Sequence, residues 1–174
     1  MLRGDYLSVR QNVWPKKKLR RKIESRPTMR KIKYAVVHWS ASYQATTVED
    51  IRRWHVNGNG WSDIGYHRII LYPKSKNQYW HELVKLGRPE EKAGAHVYPP
   101  PGVTRESLGI CVVGGSDYKL HPLQKEAIRH TVIILAARFG FSVSATKCHR
   151  DFAPTQCPGD EIYHIVTQLR EAYA

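Results

Sequence analysis

An α/β domain with a central mixed sheet flanked by helices is predicted by three features of the chain. Tyr34–Trp39 and Leu108–Val113 are short apolar runs rich in β-formers, each the length of a fully buried strand. After Pro122 and after Asp160, apolar residues recur instead at three-to-four-residue spacing, the period of a helix with one buried face. Strand-like and helix-like segments alternate along the chain, which favours one layered domain over a bundle or a sandwich.

The elements follow in order. Tyr34–Trp39 is a buried strand whose end delivers His38. Thr46 followed by Glu49 has the spacing of a capping box, so a helix is expected from about Thr47 to Asn57, stopped by Gly58 and Gly60. Tyr66–Tyr72 and Asn77–Glu82 read as two strands joined at Pro73-Lys74-Ser75-Lys76. Gly87–Arg105, with prolines at 99 to 101, reads as a long loop, and Leu108–Val113 as a strand ended by Gly114-Gly115. Pro122 suits the first turn of a helix carrying Leu123, Ala127, Ile128, Leu135 and Phe139 until Gly140 stops it. Ser142–Lys147 is expected to be a final strand, and Asp160 to cap a closing helix with Ile162, Ile165, Val166, Leu169 and Tyr173 on its apolar face.

At 174 residues the chain fits one domain with a core that needs no staples. Cys111, Cys148 and Cys157 are an odd number at spacings that suggest no disulfide framework, which favours synthesis in a reducing compartment. No apolar run is long enough for a transmembrane span, and Met1-Leu2-Arg3-Gly4-Asp5-Tyr6 lacks the apolar segment of a signal peptide. Residues 1–33 hold twelve Lys or Arg against Asp5 and Glu24, a net +10 of the chain's +13. Residues 1–30 therefore read as a basic extension, flexible unless a partner neutralises it, ahead of a domain over 31–174.

The chemistry concentrates in two stretches: Val36-Val37-His38-Trp39-Ser40, and His149 through Cys157-Pro158-Gly159. Imidazole nitrogen and thiolate sulfur suit Zn²⁺, and a catalytic zinc needs three protein ligands with water in the fourth position. His38, His149 and Cys157 make such a set. Pro154, Pro158 and Gly159 exclude a regular element between the last two ligands, so a loop must fold back to bring them together. A zinc with an open position lowers the pKa of its water to about 7, which makes hydrolysis of an amide feasible at neutral pH.

Five pieces, in order, carry a family resemblance: Val37-His38-Trp39-Ser40, Gly65-Tyr66-His67, Gly94-Ala95-His96, Ser107 through Gly115, and His149-Arg150-Asp151 through Thr155-Gln156-Cys157-Pro158-Gly159. With them the chain resembles the zinc-dependent N-acetylmuramoyl-L-alanine amidases of the phage T7 lysozyme and peptidoglycan-recognition-protein type. The resemblance implies that fold, one Zn²⁺ per chain on His38, His149 and Cys157, and hydrolysis of the bond between N-acetylmuramic acid and L-alanine in peptidoglycan. It implies a catalytic phenol at Tyr66, and it places Thr155 where family members carry lysine or threonine. A hydroxyl donates a hydrogen bond but brings no charge, so orientation of water or carbonyl is the role expected of Thr155.

Other positions stay open. His67 and His96 match family positions near the substrate groove and are either groove residues or satisfied structural histidines. Trp39 and Trp61 either stack on sugar rings or cap the core. Cys111 reads as core, Cys148 is a second possible thiolate beside His149, and Asp151 either supports an imidazole ligand or caps its loop. His55 has no motif context. A peptidoglycan-binding protein without catalysis is the rival reading, and the resemblance raises a further one, an amidase that also binds and inhibits a phage RNA polymerase. The basic extension suits an anionic envelope surface or nucleic acid. The expected protein is a monomer made in a host cytoplasm that acts on the bacterial cell wall, as a phage endolysin does.

Overall fold

The computed structural model describes residues 30–98, 100–115 and 119–174. Five strands form one sheet: β1 Tyr34–Trp39, β2 Arg68–Ile70, β3 Val84–Leu86, β4 Ser107–Val112 and β5 Lys147–Cys148, in the order β3-β2-β4-β1-β5. β1 runs parallel to β4 and β5, β2 runs parallel to β4, and only the edge strand β3 is antiparallel, so the sheet is mixed as expected. The helices are α1 Val48–Arg53, which continues as a π-helical turn Trp54–Gly58, then α2 Trp80–Leu83, α3 Val103–Glu106, α4 Pro122–Phe139 and α5 Asp160–Ala172.

Strand alternation sorts the core into two faces. Ala35 and Val37 of β1 and Leu108, Ile110 and Val112 of β4 pack on one side against Ile128, Val132 and Leu135 of α4 and Ile165, Val166 and Leu169 of α5. On the other side Ile69, Cys111 and Val113 meet Val48, Ile51 and Ile64. His38 shares its face with Val36 and is 1 % exposed, so the sheet carries a buried imidazole on the face away from the two long helices.

The two long helices lie where the spacing put them. α4 ends at Gly140, whose φ of 74° is a left-handed conformation that a glycine adopts without a Cβ penalty. Other expectations are corrected. The capping box is Thr47 with Asp50, one residue later than the Thr46–Glu49 pair: the Thr47 hydroxyl accepts from the Asp50 amide and the Asp50 carboxylate from the Thr47 amide. Asn77–Glu82 is not a strand; the Glu82 carboxylate accepts from the Tyr79 amide at 2.7 Å and closes the turn that starts α2, and the strand follows at Val84–Leu86. The Gly87–Arg105 loop contains the start of α3. Of Ser142–Lys147 only Lys147 joins the sheet, because the Ser142 hydroxyl accepts from the Ser144 amide and winds Val143–Ala145 into a 3₁₀ turn. α5 starts behind Gly159, not behind an Asp160 cap; Asp160 is its first residue and pairs with Arg150.

The basic extension lies outside the described residues except for Arg30, whose guanidinium donates to the main-chain oxygens of Glu90, Thr104 and Arg105. Among the described residues no helix is long and apolar enough to cross a membrane. Beside Arg30 the buried Glu90 carboxylate pairs with Arg68 of β2 and, at 2.7 Å, with Arg138 of α4, so one charge ties the loop, the sheet and a helix. Glu90→Ala leaves the buried Arg68 without a counter-charge and is expected to cost about 3–5 kcal/mol, read as a lower urea midpoint. Adding Arg68→Met to that variant should restore part of the loss.

Candidate metal centre and active site

His38, His149 and Cys157 come together, with one ligand atom from each lying within 4.8 Å of the others. The sheet does most of this. β1 pairs with β5 in the register Val37 with Cys148, so the residues that follow, His38 within β1 and His149 just past the end of β5, emerge at the same end of adjacent parallel strands. Their rings lie 4.8 Å apart, centroid to centroid. Cys157 returns through the turn after His149, and its Sγ lies 3.8 Å from Nδ1 of His38. Two such donors bound to one tetrahedral zinc would be separated by about 3.6 Å. Two imidazole nitrogens and a sulfur thus fit Zn²⁺ in chemistry, and the His38–Cys157 pair fits it in spacing.

Arg150 closes the return loop. Its amide donates to the Cys157 carbonyl at 3.1 Å, its guanidinium donates to the Gln156 carbonyl at 2.7 Å, and it also pairs with Asp160. The Thr155 hydroxyl accepts from the Cys157 amide at 3.2 Å, so Thr155 shapes the loop while its own hydroxyl hydrogen remains for donation. Asp151 accepts from the Cys148 amide at 2.8 Å and pairs with Arg170, holding the loop rather than a ring nitrogen. Cys148 is fully buried and lies outside the ligand group.

Burial dominates the electrostatics. It pushes the Cys157 thiol up to about 11, against the opposing effects of the Trp39 amide, which donates to its sulfur at 3.5 Å, and of Arg150. Burial also holds His38 and His149 below the ordinary histidine value, His38 well below, so both imidazoles are neutral and ready to ligate. The Tyr66 phenol is held well above its ordinary value, first by burial and then by the nearby sulfurs of Cys111 and Cys157. Its ring lies 5.2 Å from that of His38.

Tyr66 does not stand in a strand; it precedes β2 in a loop fixed from three sides. The buried Arg88 guanidinium donates to the carbonyls of Asp63, Ile64 and Ala93, and the Gly65 amide donates to Nδ1 of His55 at 3.0 Å. His55 comes from the π-helical turn and lies between Trp61, with ring centroids 4.7 Å apart, and Tyr66, at 5.4 Å, tilted against both. This role is invisible in the sequence, where no spacing links His55 to Gly65.

His67 and His96, for which the roles of groove residue and structural histidine were both open, are both buried in the fold. His67 is 0 % exposed; its Nδ1 accepts from the Gly109 amide at 2.9 Å and its Nε2 donates to the Lys92 carbonyl at 3.0 Å, so it supports β4 and both nitrogens are used. His96 is 6 % exposed, with Nδ1 at 3.1 Å from Nε2 of His38 and Nε2 at 3.4 Å from the Ser107 hydroxyl. Neither ring has a nitrogen left to offer a substrate. Trp39 is half-buried, lies over Gly159 and lines a cleft of about 650 Å³ with Tyr72, Gly114, Gln124 and Gln156, next to the ligand loop.

The endolysin of Enterobacteria phage T3 is 34 % identical to this chain over 134 residues, 72 % of this chain and 80 % of the relative. The chain belongs to the T7 lysozyme and peptidoglycan-recognition-protein amidase family. This amidase is 27 % identical to peptidoglycan recognition protein 1 of Bos indicus over 146 residues, 79 % of the chain and 72 % of the relative. Among solved structures it is similar to the N-acetylmuramoyl-L-alanine amidase LysC from Clostridium intestinale, with 26 % identity, a TM-score of 0.65, and 80 % and 86 % of the two chains covered. No protein-family model matches the amidase.

A Cβ on Gly65 would sit 2.7 Å from the Ala95 carbonyl oxygen and 2.9 Å from the Trp61 ring, and the first of these contacts is main chain that cannot turn aside. Gly65→Ala should therefore destabilise the amidase by about 1–3 kcal/mol, seen as a lower melting temperature together with altered tryptophan fluorescence.

Proposed function

We propose that this amidase hydrolyses the amide bond between the lactyl group of N-acetylmuramic acid and L-alanine in peptidoglycan, with zinc held by His38, His149 and Cys157. The observation that carries the reading is the convergence of two buried or half-buried imidazoles and a thiol beside a protonated phenol. When bound, the ion supplies a Lewis acid and an acidified water. Family membership supports the substrate class, since relatives are named endolysin and N-acetylmuramoyl-L-alanine amidase.

Each side chain then has a task in the net reaction, in which water adds to the carbonyl carbon, the C–N bond breaks, and the amine leaves with a proton. Tyr66 keeps its hydrogen at neutral pH as any phenol does, with burial and the neighbouring sulfurs widening the margin, so it donates to the carbonyl oxygen as charge develops there. A phenolate in that place would repel the same charge. Thr155 donates its hydroxyl hydrogen to water or to the carbonyl and brings no charge of its own. Trp39 offers an indole face to the glycan or stem peptide along the cleft. Arg150, Arg88 and His55 hold the two loops in register.

His149→Ala and Cys157→Ala should abolish release of stem peptide from purified peptidoglycan, while Tyr66→Phe should lower kcat by about 10²–10³-fold with a smaller change in KM. Full activity in either ligand variant would refute the assignment. Zinc uptake should also be linked to pH. With the Cys157 thiol at about 11 and the imidazoles already neutral, binding at pH 7 displaces about one proton. Raising pH removes the competing proton, so apparent affinity should climb about tenfold per unit between pH 7 and 9. Calorimetry in buffers of different ionisation enthalpy measures that proton directly.

A further inference from the structure

We propose that Ser107 and His96 form a hydrogen-bond relay that sets the tautomer and the orientation of His38, which makes both of them positioning residues for the metal ligand. The inference rests on the ligand assignment above and extends it to two buried side chains outside the ligand group itself.

The direction of every bond in the relay follows from counting hydrogens. Ser107 is fully buried at the start of β4, and its hydroxyl lies 2.5 Å from the Val103 carbonyl, which can only accept. The single hydroxyl hydrogen is therefore spent on Val103, and towards His96 the Ser107 oxygen can only accept. Nε2 of His96, 3.4 Å away, must then carry the hydrogen, and in a neutral imidazole the other nitrogen carries none. Nδ1 of His96 is thus an acceptor, and its partner at 3.1 Å, Nε2 of His38, is the donor. The only lone pair left on the His38 ring is on Nδ1, the atom 3.8 Å from the Cys157 sulfur. Four groups in line, ending on a main-chain carbonyl whose polarity cannot reverse, thereby present the correct His38 nitrogen to the ion.

The surroundings keep the relay in place. His96 packs against Gly109, where a Cβ would come within 2.7 Å of the ring, and against Gly94, where a Cβ would come within 2.5 Å of ring atom Cδ2. His38 is 1 % and His96 6 % exposed, so water does not compete for these hydrogen bonds. Partners that fix the far nitrogen of a histidine ligand commonly govern metal affinity by about 10–100-fold.

The test uses the full chain in two readouts. Long-range ¹H–¹⁵N spectra of the metal-free protein should show His38 and His96 both protonated at Nε2. Chelator competition should then show zinc affinity lowered by about 10–100-fold in His96→Ala, with most of the loss recovered in His96→Asn, whose amide oxygen replaces the acceptor at Nδ1. Ser107→Ala keeps the ring and removes its anchor; it should weaken zinc binding and leave His96 in mixed tautomers, and it decides the matter if His96→Ala does not fold. The relay is overturned if His38 is protonated at Nδ1, if His96→Ala and His96→Asn bind zinc equally, or if Ser107→Ala changes neither readout. Wild-type protein that takes up no stoichiometric zinc overturns the ligand assignment and the relay's purpose together, whereas wild-type uptake with unaffected variants overturns the relay alone.

Discussion

The parallel pairing of β1 with the two-residue strand β5 is the constraint on which the site depends. Two residues of register bring positions 38 and 149 to the same edge of the sheet, and the following loop has only to return one sulfur. Without β5 the two histidines would belong to independent loops, and holding them within bonding reach of one ion would cost the entropy of ordering both. The parallel direction matters equally, because it lets both strands deliver their next residue at the carboxyl end, where α/β sheets generally place their sites.

Burial accounts for the rest of the chemistry. A dry environment keeps imidazoles neutral and a phenol protonated, the forms that a ligand set and a hydrogen-bond donor require. The same dryness would make any unpaired polar group expensive, and the surrounding side chains answer that demand with long-range hydrogen bonds. Arg88 binds three carbonyls, His67 brackets the Gly109 peptide, and Ser107 and His96 extend the polar chain as far as the ligand. Glycines at 65, 94 and 109 make room for main chain and rings to approach so closely.

What could be read from the sequence divides along physical lines. β1, β4 and α4 were legible because an apolar run or a sustained three-to-four period reports burial directly. The sequence around α2 reads as a strand because Trp80, His81 and Glu82 are too few to show a helical period, and the Tyr79 amide donating to the Glu82 carboxylate decides their conformation. The sequence does not fix the first residue of α1, because Thr46-Thr47 and Glu49-Asp50 offer two overlapping capping pairs and only the geometry of entry into the helix selects Thr47 with Asp50.

At the site, donor chemistry and family resemblance named His38, His149 and Cys157, and the structure brings the three together. For His67 and His96 the sequence leaves a groove role and a structural role open, since a histidine beside a glycine looks the same whether its nitrogens face solvent or a neighbouring strand, and the fold buries both. His55 and Arg88 give no signal, and Ser107 shows as part of a motif but not as a partner of His96, because the partners lie 10, 5 to 25, and 11 residues away in segments that the finished fold brings together. The order of residues alone specified the alternating layers and the kinds of donor atom, because those depend on local hydrophobicity and side-chain chemistry. Tertiary structure alone decided which nitrogens are free, which histidines are dry and which loops are held, because each depends on distances between groups that the chain itself leaves far apart.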